Sequence, residues 1–164
     1  MKEDSRGMAL NPCGMIRRLT PILIERSGWR DWRGVLALEK ACFGRDAWGL
    51  VDLVFALTGP GERLKAVAGG RLVGFVMGEP KPAEGFAWIA TLGVHPAFQR
   101  QGIGARLLAE VEARLTVPVI KLTVRQSNSG AMALYRKFGY TSVGRWERYY
   151  AGGEAGVVMQ KTRG

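Results

Sequence analysis

Histidine occurs once in this chain, at His95, and cysteine only twice, at Cys13 and Cys42. Two thiols build neither a disulfide framework nor a four-ligand metal site. No window holds about 18 uninterrupted apolar residues, which excludes a helical membrane span. The stretch Met1 to Gly14 lacks the apolar core of a secretory signal. These shortages describe a reduced, cytoplasmic protein with no metal. Acidic residues are scarce as well, 14 against 24 basic ones, for a net charge of +10. Such an excess attracts polyanions: nucleic acid, ribosome or a phosphate-bearing cofactor. The basic residues are scattered, however, and form no Lys/Arg block, so the footprint of a nucleic-acid arm is missing.

What remains is ordinary globular material. The 164 residues are 47% apolar and 23% charged, enough for one domain with a sizeable core. Residues 1–14, polar and without period, read as a flexible tail, and residues 15–164 as a single domain. The first third reads helical. Apolar spacing near 3.6 runs from Trp32 through Val35, Leu36 and Leu38 to Cys42 and Phe43, and Gly44 ends it. A second short helix spans Leu50 to Leu57. Between them lies Phe43-Gly-Arg-Asp-Ala-Trp48, a loop with two aromatics.

Two strands, Arg63 to Ala68 and Arg71 to Met77, are joined by Gly69-Gly70, a tight hairpin signal. Phe86 to Val94 is mostly apolar and reads as a strand buried on both faces. A helix from about Gly102 to Leu115 carries the stripe Ile103, Leu107, Leu108, Val111 and Leu115. Val119 to Arg125 alternates cleanly, with Ile120, Leu122 and Val124 on one face. Ser127-Asn-Ser129 caps a helix from about Gly130 to Phe138, and Gly139 suits its C-terminal stop. Strands near Thr141 to Tyr149 and Gly156 to Lys161 flank Gly152-Gly153. The predicted fold is a mixed α/β sheet with helices on both sides.

The segment that carries chemistry is Val94-His-Pro-Ala-Phe-Gln-Arg-Gln-Gly-Ile-Gly-Ala105, between a strand and an amphipathic helix. Gly102 and Gly104 admit close approach of an anion to the backbone. The helix N-terminus behind them offers free N–H groups and a partial positive charge, and Arg100 adds a charge-assisted contact. A pyrophosphate suits this loop; a plain glycine-containing turn is the other reading of the same residues. It is neither a dinucleotide fingerprint, because the third glycine is absent, nor a P-loop, because no Gly-Lys-Ser/Thr follows. His95, beside Pro96 at the start of the loop, reads as a surface or phosphate-side residue. Tyr135 lies on the apolar stripe of its helix, so by position alone it is either core or a proton donor.

Gln99-x-x-Gly102-x-Gly104 after a strand, together with Leu122-Thr-Val-Arg-Gln-Ser-Asn-Ser-Gly-Ala-Met-Ala-Leu-Tyr-Arg-Lys-Phe-Gly-Tyr140, resembles the GNAT acetyltransferases from about residue 16 to residue 161. The resemblance implies a mostly antiparallel central sheet with one splayed parallel pair and helices on both faces. It implies acetyl-CoA as the acetyl donor and no metal. Leu92, Gly93 and Val94 would pair with pantetheine, and Gln99, Arg100, Gln101, Gly102, Ile103, Gly104 and Ala105 would hold the pyrophosphate. Asn128 would meet the cofactor arm, and Tyr135 would protonate the departing thiolate.

Trp146-Glu-Arg-Tyr-Tyr-Ala-Gly-Gly-Glu-Ala-Gly-Val-Val-Met159 is similar to the end of protein N-terminal acetyltransferases, a group that includes bacterial enzymes acting on ribosomal proteins. By that likeness Phe43, Trp48, Trp88, Tyr149, Tyr150 and Glu154 would flank an acceptor peptide, with a ribosomal protein among the implied partners. The chain departs from the pattern at Thr123, where bacterial members commonly carry Glu and some eukaryotic relatives His. Threonine cannot take the ammonium proton, although it can orient a water leading to Glu84, Glu147 or Glu154. An α-amine needs little help, because its pKa near 7.7–8.0 leaves a useful fraction neutral, whereas a lysine at about 10.4 needs a stronger base. Direct attack is expected, because Cys42 has no histidine partner for an acyl-enzyme route. The alternatives are transfer to a small amine or a lysine side chain, and a non-catalytic acyl-CoA-binding module.

Overall fold

A computed structural model describes residues 21–47 and 49–164; the expected tail, Cys13 and Trp48 lie outside the described residues. Among the described residues seven strands form one sheet: β1 (Ile22–Arg26), β2 (Glu62–Ala68), β3 (Arg71–Lys81), β4 (Phe86–Val94), β5 (Val119–Arg125), β6 (Thr141–Trp146) and β7 (Gly156–Thr162). Their spatial order is β1-β2-β3-β4-β5-β7-β6. Every neighbouring pair is antiparallel except β4 and β5. Four α-helices, again among the described residues, complete the fold: α1 (Trp32–Phe43), α2 (Leu50–Thr58), α3 (Ile103–Arg114) and α4 (Ser129–Lys137).

The periodicities explain the layers. Helix α3 turns its whole stripe, Ile103, Leu107, Leu108 and Val111, onto one face of the sheet, where these residues are buried with Leu64, Val76, Ile120 and Leu122. Helix α4 adds Tyr135 to this core. On the opposite face α1 and α2 bury Val35, Leu38, Leu53 and Leu57 against Phe75 and Met77. The β2–β3 hairpin turns through Gly69 and Gly70, both at positive φ, as a two-residue primed turn requires.

Three expectations need correction. Ile22–Arg26, in the stretch read as helical, is a strand that pairs with β2 at the sheet edge. Its side chains are at most half-buried, so the apolar alternation is weak. Strand β4 is not buried on both faces. Ala87, Ile89, Thr91 and Gly93 are buried, whereas Trp88, Ala90 and Leu92 keep surface because they border an open cleft. The strand predicted from Thr141 to Tyr149 ends at Trp146. Arg148 then takes a left-handed φ of 53°, which turns the chain out of the ladder.

Two irregularities in the middle of the sheet create the cleft. Met77 faces Thr91 while Gly78 faces Ile89, so Ala90 is a bulged residue without a partner on β3. The parallel ladder between β4 and β5 runs only from Phe86↔Val119 to Ile89↔Leu122. Beyond that point β4 continues with β3 as far as Val94, and β5 continues with β7 as far as Arg125. The two strands therefore splay, and Leu92–Val94 and Thr123–Arg125 face the gap without bonding each other.

Candidate active site

The gap opens into a cavity of about 680 Å³, lined along β4 by Trp88 to Leu92, along β5 by Leu122 to Arg125, and below by Asn128, Ala131 and Tyr135. Unpaired strand edges must find partners, and an extended molecule with amide groups, laid between them, supplies these. At Gly93 the end of α1 packs closely on β4: a Cβ there would stand 3.2 Å from Cys42 Sγ and 3.3 Å from the Phe43 ring. Cys42 donates a hydrogen bond to the Val94 carbonyl at 3.3 Å, and burial raises its thiol to about 11. Such a thiol stays protonated at neutral pH and is a poor nucleophile.

At the open end of β4 the chain runs into the glycine loop. The Gln99 side chain donates to the Val94 carbonyl at 3.0 Å, tying the loop to the strand. Arg100 and Gly102 both take positive φ, 63° and 77°, and Gly102 caps α3. The amides of Ile103, Gly104 and Ala105 occupy the first three helical positions, which have no intrahelical acceptor. A Cβ at Gly104 would meet only Leu134 and Val94 side chains at 3.6–3.7 Å, and glycine leaves the backbone there bare. These residues fit a phosphate-bearing ligand whose arm lies between β4 and β5. His95 sits at the loop's edge, its Nδ1 accepting from the Ala97 amide at 3.2 Å and its Nε2 3.2 Å from Arg71. It does not line the cavity.

Tyr135 is 7% exposed, yet it borders the cavity, so it is both core and site. Its ring packs on Tyr140 at 5.8 Å, while its hydroxyl makes no hydrogen bond to any described residue. Burial, with Tyr150 nearby, pushes the phenol well above its ordinary value, which keeps the O–H a donor at neutral pH. Asn128 uses its side-chain oxygen to cap α4, accepting from the Ala131 amide at 3.1 Å, and still lines the cavity.

The other end of the cavity is aromatic and acidic. Trp88, Trp146, Tyr149 and Tyr150 form a chain of ring contacts 4.9–5.8 Å apart, and all four line the cavity together with Phe43. Thr123 lines it too, but the Tyr150 hydroxyl donates to the Thr123 carbonyl at 3.0 Å. That phenol, pushed up to about 12 by burial and by Tyr149, is committed to the backbone. Glu154 does not line the cavity. Its carboxylate accepts from the Ser127 amide at 2.8 Å and pairs with Arg125. Glu84 and Glu147, the other carboxylates considered for a water relay from Thr123, are also outside the lining, and Glu147 pairs with Arg145.

Four charged residues of the lining escaped the sequence reading: Glu39, Asp46, Glu79 and Arg125. Glu39 is 2% exposed and accepts from the Thr91 hydroxyl at 2.8 Å, joining α1 to the strand that splays. A signal for it existed. Position 39 follows Val35 by four residues, so a carboxylate interrupts the apolar face of α1, as functional residues often do. Among the described residues, no three histidine, cysteine or carboxylate side chains converge on a metal site. No helix among them is long and apolar enough to cross a membrane.

Comparison with known proteins accords with this geometry. Residues 31–140 match the acetyltransferase (GNAT) family. The chain is 34% identical to the N-alpha-acetyltransferase RimI of Mycobacterium tuberculosis, over 88% of this chain and 94% of that protein. The fold matches the ribosomal-protein-S18-alanine N-acetyltransferase from Escherichia coli with a TM-score of 0.77, at 23% identity over 87% of this chain and 94% of the other. It also matches a chain of the NatC complex bound to Gag peptide and CoA, with a TM-score of 0.77 at 18% identity, over 87% and 99% of the two chains. By the family match and the similarity over most of both lengths, this chain is a member of the GNAT acetyltransferase family.

Proposed function

We propose that the protein transfers the acetyl group of acetyl-CoA to the N-terminal α-amine of a protein, by direct attack of the amine on the thioester. The observation that carries this reading is a single cavity with two chemically different ends, meeting over Tyr135. One end has bare strand edges suited to pantetheine, and beyond the end of β4, outside the cavity lining, the α3 N-terminus offers amides suited to pyrophosphate. The other has an aromatic wall with carboxylates, suited to a peptide chain that begins with an ammonium. RimI, similar over most of the length, is named for the same reaction.

When bound, acetyl-CoA supplies an activated acyl group and a thiolate leaving group. The backbone of Leu92, Gly93 and Val94 extends beside the arm and holds it straight. Residues 99–105 receive the diphosphate through helix-terminal amides and Arg100. Asn128 borders the arm from the α4 cap. Tyr135, kept protonated by burial, donates its proton to the sulfur as the C–S bond breaks. The acceptor enters between Phe43 and Trp88 on one side and Tyr149 and Tyr150 on the other. Tyr149 meets the peptide and Tyr150 shapes the wall, while Glu154 supports that wall from outside the cavity. Thr123 takes no proton; the fraction of α-amine already neutral near its pKa of about 7.7–8.0 attacks, the proton its nitrogen sheds as the amide forms passes to solvent, and solvent reprotonates Tyr135.

The test is release of CoA thiol in the presence of matched peptides, one with a free N-terminus and one with that terminus blocked and an internal lysine retained. Release driven only by the free terminus supports the proposal. Release driven by the blocked peptide moves the acceptor to lysine, and binding of acetyl-CoA without any release points to a non-catalytic module.

A further inference from the structure

Two connections far apart in sequence meet at the aromatic end of the cavity, and one residue joins them. Arg125, the last residue of β5, donates to Asp46 just beyond α1, to Glu154 between β6 and β7, and to the Ala151 carbonyl at 3.3 Å. Its guanidinium also lies 4.7 Å from the centre of the Tyr150 ring. Asp46 completes the loop by accepting from the Ala151 amide at 2.8 Å, a bond that spans 105 residues of sequence. Glu154 is held in turn by the Ser127 amide, and the Tyr150 amide donates to the Glu154 carbonyl at 3.0 Å.

Every protein group in this clasp is satisfied by another, and its acidic members flank the guanidinium from both connections. Side-chain exposure is 29% for Arg125, 14% for Asp46 and 28% for Glu154, so the ion pairs are screened only in part by solvent. Isolated surface pairs contribute little, but a planar fork shared by two carboxylates and a carbonyl fixes geometry as well as charge. Phe43 and Asp46 on one connection, and Tyr149 and Tyr150 on the other, line the cavity. The clasp therefore makes one lip out of two otherwise separate loops.

We propose that Arg125 is a positioning residue that locks residues 43–47 and 149–154 into a single lip, and that this lip sets how tightly the acceptor is held. The inference rests on reading that end of the cavity as the acceptor side. Arg125 touches no reacting atom, so its loss is felt in acceptor binding and not in acetyl-CoA binding.

The experiment compares the full-length protein with its Arg125→Gln, Asp46→Asn, Glu154→Gln and Arg125→Lys variants. Acetyl-CoA affinity is measured by calorimetry, and KM and kcat with a free-N-terminus peptide. Arg125→Gln should raise the acceptor KM about tenfold while kcat and acetyl-CoA Kd stay within about twofold, the pattern of lost uniform binding. Asp46→Asn and Glu154→Gln should each produce part of the rise. Arg125→Lys should recover only part, because an ammonium cannot span both carboxylates as a fork does. If Arg125→Gln fails to fold, the two carboxamide variants decide. An unchanged acceptor KM, or an equal loss of acetyl-CoA affinity, overturns the proposal. If the wild-type protein acetylates no peptide, the α-amine reading has failed by itself. The clasp is then judged by hydrogen exchange, which should quicken in both 43–47 and 149–154 in Asp46→Asn, and unchanged exchange in either loop overturns it.

Discussion

Removing one oxygen atom from Tyr135 separates its chemical role from its packing role. In Tyr135→Phe the ring keeps its place in the core and its contact with Tyr140 at 5.8 Å. The lost hydroxyl has no hydrogen-bond partner among the described residues, so no buried donor or acceptor is orphaned by the change. Stability should therefore move by no more than about 0.5–1 kcal/mol, well below the cost of breaking a buried hydrogen bond. Catalysis should respond differently. General-acid help is worth about 10²–10⁴-fold, and without the phenol the thiolate must leave unprotonated or wait for water. The expected result is a kcat lowered by about two orders of magnitude with acetyl-CoA Kd unchanged. Stopped-flow single turnovers read the chemical step, and a thermal melt of the same sample reads the packing. A variant as fast as wild type, with the same melting temperature, would refute the donor role and return Tyr135 to the core alone.

Other consequences follow from particular contacts. Gly74→Ala would put a Cβ 2.9 Å from Leu107 Cδ1, 3.2 Å from Ala66 Cβ and 3.2 Å from Ile103 Cγ2; such overpacking should cost about 1–3 kcal/mol in a denaturant titration. Thr123→Glu places a base at the cavity wall, and should raise the rate most below about pH 7.5, where the α-amine is largely protonated; a pH–rate profile parallel to wild type would show that proton removal is not limiting. Asp31 is buried in part, which alone would raise its pKa, but the Lys65 ammonium, the Gly28 amide and the Ser27 hydroxyl hold it below its ordinary 3.8. Its contribution to stability is therefore complete above that value and disappears as pH falls through the lower folded-state value. Asp31→Asn should melt earlier than wild type at neutral pH and lose less stability on acidification; equal acid sensitivity in the two proteins would contradict this.

How much of this was legible beforehand depends on the range of the interaction. Helix α3 and the Gly69-Gly70 hairpin are written in local spacing, and both form as expected because a stripe or a turn needs only its own residues. The glycine loop was legible for the same reason. Strand β1 was not, because five residues at a sheet edge bury too little to leave a period. The bulge at Ala90 arises from a slip of register against β3, which no pattern within β4 encodes. Nor does β5 announce where its ladder with β4 stops. The clasp joins Arg125 to Asp46 across 79 residues, and spacing holds no trace of such a bond. Tyr150 and Glu154 show the remaining difficulty. Both were expected to flank an acceptor by resemblance, and their polar atoms bond Thr123, Ser127 and Arg125, partners distant in sequence that spacing does not reveal.

The central claim is that the acceptor is an α-amine, and tandem mass spectrometry tests it most directly. A mixture of peptides with varied first residues and internal lysines would be incubated with acetyl-CoA and the full-length protein, and the acetyl group located in each product by fragmentation. The account predicts label on the N-terminal nitrogen and none on lysine. Label on lysine side chains, with the free termini left unmodified, would contradict it.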